Sequence, residues 1–262
     1  MRLNLADIVL APLTDPLWLV KNMFPRGSFV VLAGEHGTGK SSLLYNLAIS
    51  VALEKPFLGH ETKATDILYL DEENGKPDAV RYWQWAWRGL HCPDPQYWAS
   101  RIRFESFSLS NQWVKQVREF VQQEPCPGLI VVDTATPALR ITDENDNGEA
   151  SQKILELRAI QALANNDTTM IVLKHEKTRD DKSHRRTVRG AKAWLGAVDI
   201  VMYLSFKRGG SHGLRRTILA ADKPRAFGLQ YPIEIVPSWT QEKEPKGLIL
   251  NAQRALTQNE ED

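Results

Sequence analysis

The chain has 262 residues, of which 42% are hydrophobic and 25% are charged, which is typical of a soluble globular protein with one substantial core. The formal net charge of +1 excludes a global basic field, so a polyanion would have to bind to a local patch of charge. Cys92 and Cys126 lie far apart and outside any metal-ligand spacing, which argues against a disulfide framework or a zinc site and favours a reducing compartment.

Residues 1–27 are predicted to form an N-terminal arm that packs on the core. Their apolar stretch is interrupted by Asp7, Pro12, Asp15 and Pro16 before it is long enough for a signal-peptide core or a membrane span. We therefore expect a cytoplasmic protein with no membrane segment.

Short β-branched runs then alternate with helix-like stretches. The predicted strands span residues 28–34, 66–71, 102–106, 129–134 and 168–174, and the helical stretches lie near residues 40–54, 77–90, 110–123 and 149–165. This alternation predicts an α/β fold with a mostly parallel sheet covered by helices on both faces. After residue 196 three strand-like runs follow with short links, and we expect all three to be antiparallel additions at one edge of the sheet. The core is thus predicted to span residues 28–240, followed by a C-terminal strand and a frayed tail in residues 241–262.

The stretch GEHGTGKSS follows a hydrophobic run and precedes a helix-forming run. Gly34, Gly39, Lys40 and Ser41 match the phosphate-loop pattern G-x-x-x-x-G-K-[ST], in which backbone N–H groups surround the β-phosphate, the lysine reaches the β- and γ-phosphates, and the hydroxyl holds Mg²⁺. We call residues 34–42 the P-loop. The predicted nucleotide-binding residues are those of the whole loop: Gly34, Glu35, His36, Gly37, Thr38, Gly39, Lys40, Ser41 and Ser42. Glu35 and His36 are included as part of the loop, and for their side chains at its tip we predict solvent contact and no further role.

Two further predicted strands end in carboxylates. Asp133 ends the apolar run LIVVD, and a charge at the end of a buried strand needs a partner, so we predict that Asp133 and Ser41 organise Mg²⁺. The run ILYLDEEN ends with Asp71, Glu72 and Glu73, where one carboxylate can accept a proton from a water that attacks the γ-phosphate. Because no N-K-x-D guanine signature is present, ATP is the expected nucleotide.

Several runs occur in an order that is shared with a known family. PLWLVKNMFPRGSFVVLAGEHGTGKSS is followed by LYLDEEN, LIVVDT, DENDNGEASQKILEL, IVLKHEKT, RGAKAWLGAVDIVMYL and ADKPRAFG, so that the likeness covers most of residues 15–228. In these runs the chain resembles RecA-like ATPases of the group that includes the RepA-type hexameric helicases. The resemblance implies an ATP-hydrolysing motor that forms a homo-oligomer, with a hexamer favoured, and acts on single-stranded DNA.

The resemblance also implies roles for single residues. The catalytic glutamate of the family falls on Glu73, with Glu72 as the alternative, since neighbours on a strand point to opposite faces. His175 matches a histidine that contacts the γ-phosphate, and Lys174 stands where family members often carry another histidine. Lys223 and Arg225 match a K-x-R element that reaches the ATP of the neighbouring subunit.

Residues 176–190 carry a dense run of basic residues on a chain that is nearly neutral overall. Six basic residues stand against the acids Glu176, Asp180 and Asp181, which gives a local net charge of +3. Such a segment is typical of a groove that binds single-stranded nucleic acid, although a solvated loop has the same composition. The residues expected to contact DNA are Lys177, Arg179, Lys182, Arg185, Arg186 and Arg189, and the choice of DNA over RNA is implied by the resemblance alone.

Two other segments invite alternatives. The run DENDNG fits the first positions of a calcium loop, but Ile154 stands where a bidentate glutamate is needed, so we expect no calcium site and a helix that starts at Asn147 or Gly148.

In the tryptophan-rich segment 82–98, Trp83 and Trp87 share one helix face and are expected in the core. Trp85 lies on the other side, where it could contact another subunit.

Two functions of other classes remain open at the level of the sequence. One is an ATP-dependent switch or scaffold that regulates assembly with a protein partner. The other is a small-molecule kinase in which residues 176–190 cover the phosphates as a lid. The kinase is disfavoured by the late antiparallel strands and by the K-x-R element.

Overall fold

The computed structural model describes residues 5–12, 15–105, 113–123, 125–143, 146–164, 167–176, 193–207, 216–223, 229–240 and 246–254. The helices are α1 (Leu5–Leu10), α2 (Lys40–Ala52), α3 (Lys76–Gly89), α4 (Trp113–Val121), α5 (Ala135–Leu139), α6 (Asn147–Ala164) and α7 (Ala193–Ala197), and two 3₁₀ turns span Pro95–Tyr97 and Ala99–Arg101. The strands are β1 (Trp18–Val20), β2 (Phe24–Pro25), β3 (Phe29–Gly34), β4 (Ile67–Asp71), β5 (Ile102–Glu105), β6 (Leu129–Asp133), β7 (Thr169–His175), β8 (Ile200–Lys207), β9 (Arg216–Lys223), β10 (Ile233–Trp239) and β11 (Leu248–Arg254).

A nine-stranded sheet forms the centre of the fold, in the order β11-β10-β9-β8-β3-β7-β6-β4-β5. The six strands from β8 to β5 pair in parallel, and β9, β10 and β11 continue the sheet beyond β8 in antiparallel pairs. The α/β fold predicted from the alternating apolar strands, with a mostly parallel sheet and antiparallel C-terminal strands, is confirmed.

The expected direction of one strand is wrong. β8 was expected to add antiparallel, but it pairs in parallel with β3, from Val30 opposite Ile200 to Gly34 opposite Leu204. Parallel neighbours need a long crossover, and the chain between β7 and β8 includes helix α7, which supplies part of it. The antiparallel expectation holds for the two runs that follow, which form β9 and β10.

The hydrophobic core lies on both faces of the sheet, because β3, β4 and β6 are buried at every position. Side chains alternate along a strand, so Val30 and Leu32 pack on the face covered by α2, whereas Val31 and Ala33 pack on the face covered by α4 to α7. β1 and β2 add apolar residues to the first of these clusters. Within the described part of the chain, none of the helices is both long and apolar enough to cross a bilayer.

The tryptophan-rich helix α3 packs through an aromatic cluster. Trp83 is half-buried and packs against the predicted core, where it meets the rings of Tyr45 and Phe104 edge-on, at centroid distances of 4.6 and 5.6 Å. Trp85 is half-buried and packs edge-on against Trp239 of β10, with ring centroids 5.0 Å apart. This contact within the chain accounts for the burial of Trp85, for which a subunit contact was suggested. A groove of about 410 Å³ lies beside the cluster and is lined by Trp83, Gln84, Trp87, Pro95, Trp98, Ala99, Ile102 and Phe104.

The predicted helix start near residue 147 is confirmed. Helix α6 begins at Asn147, and the Asp146 carboxylate accepts a hydrogen bond of 2.7 Å from the Gly148 N–H, as an N-terminal cap does. The Glu149 carboxylate accepts the backbone N–H groups of Thr142 and Asp143, each at 2.9 Å, and these backbone bonds hold the pKa of Glu149 below its usual range. Asp146 and Glu149 therefore organise the helix N-terminus.

Candidate active site

The carboxyl ends of four parallel strands meet at one edge of the sheet. β3 ends at Gly34, β4 at Asp71, β6 at Asp133 and β7 at His175. In open α/β sheets ligands bind in the crevice outside these ends. The residues singled out in the sequence at the ends of separate strands therefore share one site.

The P-loop connects β3 to α2. A Cβ atom on Gly34 would overlap the carbonyl oxygen of Leu204 in the neighbouring strand β8, so no larger residue fits there without a backbone shift. Gly37 and Gly39 have φ angles of 75° and 89°, in the left-handed region that glycine adopts without steric cost. These glycines allow the loop to turn tightly into the first turn of α2.

Lys40 closes the P-loop from inside. Its side chain is buried, and the Nζ atom donates to the carbonyl oxygens of Gly34 and Glu35, both at 2.9 Å. The Thr38 hydroxyl also donates to the Glu35 carbonyl at 2.9 Å. Burial lowers the pKa of Lys40, and the nearby carboxylates, first among them Glu73, oppose this shift. The ammonium group thus lies among acceptors that a phosphate oxygen can replace.

Asp133 has the properties expected of a cation ligand. It is fully buried, its Oδ2 atom accepts from the Tyr69 hydroxyl at 3.2 Å, and its Oδ1 atom has no hydrogen-bond partner among the described residues. Burial and then the neighbouring Asp71 raise the pKa of Asp133 to about 7, whereas the facing Ser41 hydroxyl lowers it. An orphaned buried carboxylate oxygen beside a hydroxyl fits the oxygen-rich coordination that Mg²⁺ prefers.

Asp71 organises the turn that follows β4. It lies directly opposite Asp133 in the parallel pairing and is fully buried. Its Oδ1 atom accepts the backbone N–H groups of Glu73 and Asn74, at 3.1 and 2.8 Å, and its Oδ2 atom accepts from the Tyr45 hydroxyl. Because its oxygens are occupied in this way, Asp71 holds the backbone of Glu73 in place.

Glu72 and Glu73 lie beyond the end of the strand, so the alternation of strand faces does not distinguish them. The Glu72 N–H donates to the Asp133 carbonyl oxygen at 2.6 Å. The Glu73 side chain is 35% exposed, and its Oε2 atom lies 3.7 Å from Nε2 of His175. The Glu73 carboxylate therefore meets the end of β7.

His36 and His175 stack face to face across the site. Their ring centroids are 3.8 Å apart and their planes differ by 22°. One ring belongs to the tip of the P-loop and the other to the end of β7. The expectation that His36 only contacts solvent is therefore wrong, because a residue remote in the sequence covers one face of its ring.

The neighbours of His175 connect the site to the rest of the chain. Lys174, in the position of the family's other histidine, is buried on the opposite side of the strand, where its Nζ atom donates to the Thr136 hydroxyl at 3.3 Å and lies 5.2 Å from the Trp194 ring centroid. The Glu176 N–H donates to the Gly34 carbonyl oxygen at 3.1 Å. This bond ties the end of β7 to the first residue of the P-loop.

Other predicted residues are not brought to the site by the described part of the chain. Lys223 is the last residue of β9. Arg225 lies outside the described residues, as do the residues expected to contact DNA, namely Lys177, Arg179, Lys182, Arg185, Arg186 and Arg189.

The contacts of Asp71 and His36, and of the tyrosines Tyr45 and Tyr69 that bind the buried carboxylates, were not predicted from the sequence. A signal for Asp71 was present, because it ends an apolar run just as Asp133 does. Tyr45 follows the P-loop lysine in α2 without a distinctive pattern, and the contact of His36 depends on the tertiary fold. Those two residues could be found only in the structure.

Comparison with known proteins gives the family of the chain. An AAA domain family, AAA_25, matches residues 2–181. The chain belongs to this AAA domain family. A comparison with curated proteins finds no match. The predicted RecA-like P-loop ATPase is supported at the level of family and fold, and membership of the RepA-type group stays a prediction.

Three solved structures share the fold of this AAA domain protein. A KaiC-like protein from the archaeon Pyrococcus horikoshii OT3 superposes with a TM-score of 0.59 at 16% identity, over 88% of this chain and 93% of that one. The RadB recombinase gives 0.55 at 15% identity, over 80% and 87%, and the flagellar accessory protein FlaH from Methanocaldococcus jannaschii gives 0.57 at 14% identity, over 88% and 91%. Identities this low show that the fold is shared, and they do not show that the activity is shared.

Proposed function

We propose that this AAA domain protein binds ATP with Mg²⁺ and hydrolyses it, with Glu73 as the general base. The observation that carries the proposal is the position of Glu73 beside His175, where the ends of β4 and β7 meet the tip of the P-loop. We further propose a ring-forming motor that acts on single-stranded DNA, of the RepA-type helicase group.

The nucleotide phosphates bind to the P-loop backbone and to Lys40. Lys40 exchanges the carbonyl oxygens of Gly34 and Glu35 for phosphate oxygens, which carry more charge and bind an ammonium more strongly. Ser41 and Asp133 would hold Mg²⁺, which would supply positive charge to stabilise the phosphate groups.

Glu73 accepts the proton of the attacking water on its carboxylate. Solvent reaches this side chain, which is 35% exposed, and water can therefore bind there before the reaction. The Asp71 carboxylate fixes the Glu73 backbone N–H, which limits the positions that the base can take. His175 lies within reach of the same carboxylate, and we propose that it contacts the γ-phosphate.

The link between β7 and the P-loop supports a response to hydrolysis. The Glu176 N–H is bonded to Gly34, and Glu176 is the first residue of the basic segment 176–190. A change at the phosphate site can therefore act on the start of this segment through one hydrogen bond. We propose that the segment binds the DNA backbone, and that Lys223 and Arg225 of each subunit complete the site of the next.

Steady-state hydrolysis with and without oligo(dT) tests this function. We expect single-stranded DNA to stimulate turnover, and the stimulation to fall steeply between about 50 and 200 mM salt because phosphate contacts release counterions. The variant R185Q/R186Q/R189Q should lose most of the stimulation. The control K115Q/R118Q removes charge from the exposed face of α4 and should keep it. If turnover does not change with DNA and no DNA binding is detected, the proposed motor function is excluded and only the proposed ATPase activity stands.

A further inference from the structure

His36, Glu73 and His175 form a cluster of ligand atoms that is distinct from the proposed Mg²⁺ site. Each offers one imidazole nitrogen or carboxylate oxygen, and these three atoms lie within 4.8 Å of one another. The proposed Mg²⁺ ligands are instead the Ser41 hydroxyl and the buried Asp133 carboxylate. The cluster is therefore a second possible position for a cation.

The donor atoms select the kind of cation. Two imidazoles and one carboxylate are the ligand set of many Zn²⁺ sites, and imidazole also suits Co²⁺ and Ni²⁺. Mg²⁺ prefers oxygen ligands and gives up its water reluctantly, so it competes poorly for such a set. The side chains of His175 and Glu73 are 13% and 35% exposed, which leaves solvent access for a fourth ligand.

Two of the three ligand atoms, on His175 and Glu73, are already placed for a shared ion, whereas the His36 side chain must move. Nε2 of His175 and Oε2 of Glu73 are 3.7 Å apart, close to the spacing of about 3.4 Å between two ligands of a tetrahedral ion with bonds near 2.1 Å. The rings of His36 and His175 are nearly parallel at 3.8 Å, so their nitrogen lone pairs cannot both point at one ion as they stand. His36 is exposed at the tip of the P-loop, and rotation of its side chain opens the stack.

We propose that the nucleotide-free protein binds one divalent transition-metal ion of the Zn²⁺ class through His175, Glu73 and His36. His175 and Glu73 form the initial pair, and His36 completes the site by turning from its stacked position. Metal binding follows from the cluster alone. Inhibition of turnover follows if Glu73 is also the catalytic base, and this second part rests on the proposed function.

Direct titration tests the site. Purified full-length protein without nucleotide is titrated with Co²⁺, whose visible absorption reports a tetrahedral site, and then with Zn²⁺ against a chromophoric chelator. We expect one ion per chain that millimolar Mg²⁺ does not displace. H36A, H175A and E73Q should each weaken the affinity by about tenfold or more, because each removes one of three protein ligands.

The matched control is H91N. His91 is exposed and has a φ angle of 46°, a backbone conformation that asparagine tolerates, so the substitution removes a surface imidazole without strain. Metal affinity should not change in H91N, and circular dichroism of all variants checks folding. No binding at about 100 µM Zn²⁺, or binding that all three ligand variants retain, would overturn the proposed site.

A second measurement separates the site from the proposed function. Hydrolysis of Mg²⁺·ATP is followed at ATP concentrations well below the KM, where most of the protein is nucleotide-free, while Zn²⁺ is added at saturating Mg²⁺. Inhibition in the wild type that H36A weakens, at Zn²⁺ concentrations matching the titration, supports both parts. Tight metal binding without inhibition leaves the metal site in place and contradicts the role of Glu73 as the base.

Discussion

Asp71 and Asp133 lie directly opposite each other at the ends of β4 and β6, and both are fully buried. Two adjacent buried carboxyl groups cannot both ionise easily, and the pKa of Asp133 is accordingly raised to about 7 by burial and by Asp71. Asp71 has hydrogen-bond donors from the following turn, whereas one oxygen of Asp133 has none among the described residues. The site therefore destabilises the nucleotide-free protein, and a bound cation would relieve this.

The variant D133N should make the nucleotide-free protein more stable above pH 7. The pKa of Asp133 is raised from 3.8 to about 7 in the folded state, so its favourable contribution, complete below pH 3.8, is lost as the pH rises through 7. This loss is roughly 2 to 4 kcal/mol at pH 8, and asparagine avoids it. Thermal unfolding at pH 5 and pH 8 measures it.

The stability difference between D133N and the wild type should be larger at pH 8 than at pH 5. Addition of Mg²⁺·ATP should reverse the order, because only the wild type gains stability from the bound metal. A difference that is equal at both pH values would show that the raised pKa of Asp133 has no effect on stability.

Asp71 should act on turnover through Glu73. D71A removes the acceptor for the Glu73 N–H and should lower kcat by about 10- to 100-fold, since small displacements of a catalytic group are costly. D71N keeps an acceptor oxygen and should stay within about tenfold of the wild type. The KM for ATP should change little in either variant. Equal losses in D71A and D71N would show that the acceptor atom does not position Glu73.

The parts of the site that the sequence predicts are those set by local pattern. The P-loop is read from residues 34–42 because its glycines and its lysine act within one strand-turn-helix unit. Asp133 is found because four apolar residues before a carboxylate predict a buried strand end. Parallel strands then bring Asp71, Asp133 and His175 to one edge without further information.

The remaining parts depend on tertiary contacts that have no local pattern. The stack of His36 on His175 requires β3 and β7 to be neighbours, which follows from the strand order and from no motif. The direction of β8 depends on the crossover from β7, which includes the five-residue helix α7, whereas the antiparallel expectation rested on the short links that follow residue 196. The approach of the Glu73 carboxylate to His175 likewise depends on the neighbouring strand ends and on no local motif.

If subunits share their active sites, Arg225 should be needed in trans. R225A should lower turnover by about 10³-fold or more and retain ATP binding, as the loss of an arginine finger does. K40A should lose phosphate binding. An equal mixture of the two variants should recover about a quarter of the wild-type rate, because about a quarter of the interfaces in a random ring pair an intact P-loop with an intact Arg225. If the mixture is no more active than R225A and K40A are separately, or if R225A alone is fully active, the shared site is excluded.

The most direct test of the account compares single-turnover hydrolysis by E73Q and E72Q. Glu73 meets His175 at the P-loop tip, so E73Q should bind ATP normally and hydrolyse it about 10²- to 10⁴-fold more slowly, as expected on loss of a general base. E72Q changes the neighbouring residue in the same way and should stay within about tenfold of the wild type. Wild-type hydrolysis by E73Q, or a large loss confined to E72Q, would contradict the assignment of Glu73 as the base.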